Sequence, residues 1–253
     1  MTRARSREAK ILSSVLRFGL IVAVGAQIAW SFRPLPGRAL TDQEAQGKQL
    51  FDASCVTCHR VDALGTANGP SLKGVGAAAV DFYLSTGRMP LANPDDQPLR
   101  KTPAFTPDEI AAIVAYLGPV AAGGPEIPTV NPGGSLASGQ QLYLNNCTGC
   151  HGAGGEGDSV GGGQIAPSLG QATGVQIAEA ARIGPGVMPK FGERSLDQTD
   201  VDALVAYLLW IRDHGNDGGI SLGRAGAVVE GLVALVIGLG ALIVVIRLTG
   251  SKL

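Results

Sequence analysis

A thirteen-residue segment that occurs twice constrains this chain more than any other feature. GKQLFDASCVTCH at 47–59 aligns with GQQLYLNNCTGCH at 139–151, an offset of 92 residues. Pro70-Ser71-Leu72 then pairs with Pro167-Ser168-Leu169, Met89-Pro90 with Met188-Pro189, and Ala115-Tyr116-Leu117 with Ala206-Tyr207-Leu208. The offset widens to 97 and 99 and returns to 91, so the second copy carries extra residues in its middle, where GAGGEGDSVGGGQ reads as a flexible loop. The period is too long for a solenoid, and 253 residues leave room for two small domains. A copy of that size holds a core only with help.

The copies contain all four cysteines, as Cys55-x-x-Cys58-His59 and Cys147-x-x-Cys150-His151. This spacing is the attachment signature of c-type haem: two thiols within one helical turn reach the two vinyl groups, and the next residue presents an imidazole to the iron. Zinc would need a second Cys or His pair at each site. A vicinal thiol redox pair is the other competing reading; two copies of the motif in duplicated domains, each with a downstream Met-Pro, favour haem. The histidine count then limits the sixth iron position. Two of three histidines are proximal, leaving His214, which reads as an exposed loop residue. Of three methionines, Met1 is the initiator, while Met89 and Met188 recur at equivalent places, each followed by proline. A thioether favours ferrous iron, so His/Met ligation implies electron transfer at relatively high potential. An iron with both axial positions filled has no vacancy for substrate chemistry.

Charged residues make up only 16% of the chain, below the roughly 25% usual for soluble domains, so part of it is expected in lipid. A basic start at 1–10 precedes an apolar run at 11–33, a transmembrane anchor or a cleaved signal segment. Gly231 to Ile246 contains no charge, and extension back to Ala225 meets only Glu230, so 224–247 reads as a transmembrane helix with a tail at 248–253. Basic residues flank both runs on their outer sides, which predicts two cytoplasmic termini and an extracytoplasmic middle. That middle, residues 34–223, holds 11 Lys and Arg against 19 Asp and Glu, an acidic surface suited to a basic partner. The charge balance gives no support to nucleic-acid binding.

Locally the copies read as helical. Thr41 to Ser54 runs into the first Cys motif, and Thr106-Pro107-Asp108-Glu109 is a capping box that opens a helix to about Leu117. Ser195 to Gln198 resembles the same signal before a helix over about Asp200 to Arg212. No strand pattern of useful length is visible. The proline- and glycine-rich stretch at 119–134 reads as a linker, as does 215–223.

These residues resemble class I cytochrome c domains, over 41–118 and 135–214. The resemblance implies an all-α chain: two tandem class I cytochrome c domains with N-terminal and C-terminal transmembrane helices. It implies two covalently bound haem c groups, on Cys55 and Cys58 and on Cys147 and Cys150, with His59, Met89, His151 and Met188 as axial ligands. In that family a helix bearing glycine and an aromatic crosses a C-terminal helix bearing an aromatic; Gly47, Phe51 and Tyr116 match, as do Gly139, Tyr143 and Tyr207. Pro70 and Pro167 match the proline whose carbonyl accepts the imidazole N–H. The whole layout, with STGRMP and GPGVMPKF, is similar to the dihaem cytochrome c subunit of the actinobacterial cytochrome bc complex, a menaquinol:cytochrome c reductase. That likeness implies a Rieske iron-sulfur subunit, a cytochrome b subunit, the copper-bearing subunit of a terminal cytochrome c oxidase and membrane lipid as partners. The alternatives are a dihaem subunit of a cbb-type oxidase, against which the apolar run at 231–246 argues, and a dihaem enzyme such as a peroxidase or thiosulfate dehydrogenase.

Overall fold

A computed structural model describes residues 39–214 and 231–250. The N-terminal apolar run, the second linker, Glu230 and the last three residues lie outside the described residues. The first copy contains α1 (Asp42–Ser54), the one-turn α2 (Val56–His59), α3 (Ala77–Ser85) and α4 (Pro107–Ala121). The second contains α5 (Leu136–Asn146), the one-turn α6 (Thr148–His151), a hairpin of β1 (Asp158–Gly161) and β2 (Gln164–Ala166), α7 (Gly174–Ile183) and α8 (Gln198–His214). A last helix, α9, spans Gly231–Thr249.

Each copy is organised around one close helix crossing, α1 against α4 and α5 against α8. Glycine permits it. A Cβ on Gly47 would lie 1.9 Å from the Ala112 carbonyl oxygen, and one on Gly139 would lie 2.0 Å from that of Ala203. One turn later an aromatic pair seals each crossing: Phe51 and Tyr116 with centroids 5.7 Å apart, Tyr143 and Tyr207 at 5.8 Å, both tilted. Phe51 anchors a core with Ile110, Ile113 and Leu117, and Tyr143 one with Val201, Leu204 and Val205.

Thr106 and Glu109 form the expected capping box, with Pro107 at the first helical position. Helix α4 continues through Pro119 to Ala121, four residues past the expected end, because Leu117 and Ala121 both bury against the Phe51 core. The signal before α8 lies two residues later than the sequence suggests. The Asp197 carboxylate accepts from the Asp200 amide at 2.9 Å and that of Asp200 accepts from the Asp197 amide at 3.1 Å. A pair of aspartates thus performs the reciprocal capping.

The chain is mostly helical, and the all-α expectation needs one correction. The glycine-rich insertion is an antiparallel hairpin that pairs Asp158 with Ala166 and Ser159 with Ile165. Its two turn residues, Gly162 and Gly163, have φ of 59° and 75°, the doubly positive turn that matches strand twist. The stretch at 119–134 is also packed rather than free. Pro125 accepts from the Ala78 amide at 3.0 Å, and the Asn131 amide donates to Asp202 at 2.9 Å.

The copies meet through α3 and α7, where Ala78, Phe82 and Ile183 form a small apolar cluster with Tyr83 and Ala180. The Gln97 side chain donates from Nε2 to the Ile165 carbonyl at 2.9 Å and accepts at Oε1 from the Ile165 backbone amide at 3.1 Å, so a side-chain amide takes the place of a strand partner for β2. Gln176 on α7 donates to the Ser85 hydroxyl at 3.1 Å.

Candidate functional site

Both Cys-x-x-Cys-His segments sit at a helix break. Helix α1 ends at Ser54, the Cys55 amide still donates to the Phe51 carbonyl at 2.8 Å, and α2 then turns once to His59. The second copy repeats this, with the Cys147 amide on the Tyr143 carbonyl at 2.9 Å and α6 ending at His151. The break places both thiols and the imidazole on a single turn beside the core.

Each imidazole is oriented by a proline carbonyl. His59 Nδ1 lies 2.8 Å from the Pro70 oxygen, and His151 Nδ1 lies 3.0 Å from that of Pro167. A carbonyl only accepts, so Nδ1 carries the proton and the Nε2 lone pair of the neutral ring is left free, the state a metal ligand requires. Burial also pushes the His151 pKa down, favouring the neutral ring, while the bond to Pro167 opposes this.

The structure brings all five second-copy residues named from the sequence together: Cys147, Cys150, His151, Pro167 and Met188 line one cavity. Phe191 closes part of its wall. In the first copy, Cys55 and Met89 pack against the same apolar cluster with Leu72, and Cys58 backs onto Gly69, where a Cβ would lie 2.9 Å from the Cys58 Cβ. The Met89 amide donates to the Tyr83 carbonyl at 3.0 Å, tying the Met-Pro segment to the end of α3.

The environment of Cys55 and Cys147 does not favour their thiolates. Burial, with the neighbouring cysteine second, pushes Cys55 and Cys147 up to about 11, opposite to the lowered values of reactive disulfide-exchange thiols. Nor do the described residues supply any cluster of three His, Cys, Asp or Glu side chains able to hold a bare metal ion. Two thiols, one oriented imidazole and an apolar cavity with a thioether fit a flat, largely apolar group that carries its own metal.

Some residues of the second cavity escape a copy-by-copy reading because they come from the first copy. Tyr83, Arg88, Gln97 and Leu99 all line it. Arg88 is 7% exposed, and its guanidinium carbon lies over the Phe82 ring, 4.7 Å from the centroid. Burial, then the nearby Arg100 charge, lowers its pKa, with Tyr83 opposing. The signal in the sequence is the asymmetry of the repeat: STGRMP has Arg88 where GPGVMP has Val187.

The duplicated crossing and the two donor sets define a pair of cytochrome c domains. Residues 44–120 match the family model Cytochrome c, and 134–208 match that of Cytochrome C oxidase, cbb3-type, subunit III. As cytochrome c domains they carry haem c covalently, two groups in all.

The chain belongs to the family of cytochrome c subunits of the cytochrome bc1 complex. It is 39% identical to the Cytochrome bc1 complex cytochrome c subunit of Mycobacterium leprae over 87% of this chain and 82% of that one. Against the protein of the same name from Mycobacterium tuberculosis it is 37% identical over 95% and 91%. Likeness to the Cbb3-type cytochrome c oxidase subunit FixP of Bradyrhizobium diazoefficiens is weaker, 25% over 65% of this chain and 59% of that one. The chain is therefore an electron-transfer component of an oxidoreductase complex, and the cbb-type alternative is only distantly supported.

Proposed function

We propose that this chain is the membrane-tethered dihaem relay of a menaquinol:cytochrome c reductase, accepting electrons from a Rieske iron-sulfur subunit beside cytochrome b and passing them to the copper-bearing subunit of a terminal oxidase. The observation that carries this reading is the duplicated donor set on a chain that also has a membrane-length apolar helix. Haem bound at each site supplies reversible one-electron exchange between ferric and ferrous iron. Cys55 and Cys58 hold the first porphyrin and Cys147 and Cys150 the second. His59 and His151, their rings held by Pro70 and Pro167, would offer Nε2 to the haem iron, and Met89 and Met188 would supply the thioether ligands.

Helix α9 supports the tether. Its 19 residues have a mean hydropathy of 2.6 with no side chain buried in the protein. At about 1.5 Å per residue it covers nearly the roughly 30 Å of a bilayer core. The anchor or signal at 11–33, the cytoplasmic termini and the extracytoplasmic haem domains rest on the charge pattern alone. A dihaem peroxidase or thiosulfate dehydrogenase would need an open or differently ligated iron.

Purification in mild detergent tests the assignment through the accompanying subunits and the reduced-minus-oxidised spectrum. Co-purification with b-type haem and a Rieske protein is expected; a chain isolated with a different catalytic subunit would overturn the role. Replacing Met89 or Met188 by alanine should lower the potential of one haem and let carbon monoxide bind it when reduced. An unchanged potential would mean that another residue holds the sixth position.

A further inference from the structure

We infer that the first domain supplies the cationic wall of the second domain's haem site: Arg88, assisted by Arg100, holds a propionate carboxylate of the haem attached at Cys147 and Cys150. The inference rests on haem occupying that cavity and adds a cross-domain anion site to it.

Arg88 lines both parts of the second-domain cavity, together with Cys147, His151 and Met188. Its Nη1 is fully buried and has no hydrogen-bond partner among the described residues. Arg100 lines the inner part and donates to the Gln176 side-chain oxygen at 2.6 Å, a neutral acceptor. The ion pairs among the described residues lie elsewhere, at Lys48–Asp52, Arg60–Asp62 and Arg212–Asp213. Two guanidiniums thus line one cavity, the Arg100 charge near enough to disfavour that of Arg88, and neither is in an ion pair with a carboxylate of the described residues.

A buried charge without a partner is unfavourable, and a second like charge nearby makes it more so. The arrangement becomes favourable when an anion enters. The group that the cysteines and His151 bind brings two carboxylates of its own, and a guanidinium fork matches a carboxylate with paired, charge-assisted hydrogen bonds. The Phe82 ring, its centroid 4.7 Å from the Arg88 guanidinium carbon, holds that group over its face by a cation–π contact. Arg88 is also the residue before Met89, so the segment that offers a thioether to the first haem offers its guanidinium to the second.

The test is a redox titration of the full chain with Arg88→Gln, Arg88→Lys and Arg100→Gln. Covalent haem is counted by mass, and the second-domain component is identified by its absence from a Cys147→Ser/Cys150→Ser variant. Removing a positive charge beside a haem stabilises the ferric state, so Arg88→Gln and Arg100→Gln should each lower the second-domain potential. Arg88→Lys should recover most of it, and the propionate bending band in the resonance Raman spectrum should move only where the charge is lost. Arg100→Gln should leave the first-domain potential in place, which guards against a general disturbance around Met89. Full haem content with unchanged second-domain potential in both glutamine variants overturns the inference and leaves the haem assignment standing. A chain without haem on Cys147 and Cys150 would overturn that assignment instead. A wild-type potential that follows added phosphate, with the dependence lost in both glutamine variants, would place a free anion there and overturn the inference.

Discussion

Gly139 has a role that no other residue type can take, because the Ala203 carbonyl occupies the space of its Cβ at 2.0 Å. Gly139→Ala should force α5 away from α8 and cost on the order of 1–3 kcal/mol or more, read as a lower unfolding midpoint. An unchanged midpoint would show that the crossing has slack. The same crossing exposes a difference between the domains. Tyr143 is buried and donates its hydroxyl to the Gly152 carbonyl at 2.6 Å, closing the loop after the second His, whereas Phe51 has no such atom. Tyr143→Phe should therefore cost about 1 kcal/mol in the second domain, measurable by denaturant titration. A neutral substitution would mean that water replaces the hydroxyl.

Between elements, the α3–α7 contact holds a second uncompensated group. Glu179 is 0% exposed, and both carboxyl oxygens lack hydrogen-bond partners. Burial, with the Asp81 charge second, raises its pKa to about 9; since no standard hydrogen bond joins the pair, Asp81 acts as a nearby charge. The folded protein therefore keeps this proton where the unfolded chain, near 4.5, has lost it. A carboxyl raised on folding makes unfolding release a proton, so stability falls as pH rises from about 4.5 to about 9. At pH 7 the penalty is on the order of 3 kcal/mol. Glu179→Gln should remove that slope and stabilise the neutral-pH protein, tested by thermal unfolding across the pH range; a slope retained in the variant would mean that another group drives it.

This contact was also the least legible part of the fold. The Cys motifs, the paired methionines, the Thr106 capping box and the glycine–aromatic sets were readable because each is a local pattern that the duplication displays twice. Helix α3 was not, since AAAVDFYLS is nearly apolar throughout and is covered on more than one side, which erases its periodicity. The hairpin was hidden by glycine in strands of four and three residues. What pairs Gln97 with Ile165, or Arg100 with Gln176, is separated by 68 and 76 residues and leaves no local mark. The second site was therefore legible as a repeated Cys-x-x-Cys-His and Met-Pro pattern and illegible as a cavity lined by both domains.

Across the whole molecule, charge and hydropathy are segregated: 11 basic against 19 acidic residues between 34 and 223, and an uncharged helix surface over most of α9. With α9 as the proposed membrane tether, the acidic excess of residues 34–223 is the long-range feature that a soluble or tethered redox partner would meet. At a separation of one Debye length, about 8 Å at physiological ionic strength, such steering is already attenuated. Electron exchange with a small basic redox protein should therefore be fast at low salt and slow steadily as salt is added, while exchange with an acidic one should be slow and gain from salt. Stopped-flow rates across a salt series, with both probes of matched potential, separate the two. Equal salt dependence for both would mean that a local apolar contact, such as the rim residue Val187 at 67% exposure beside Met188, sets the docking instead of the field.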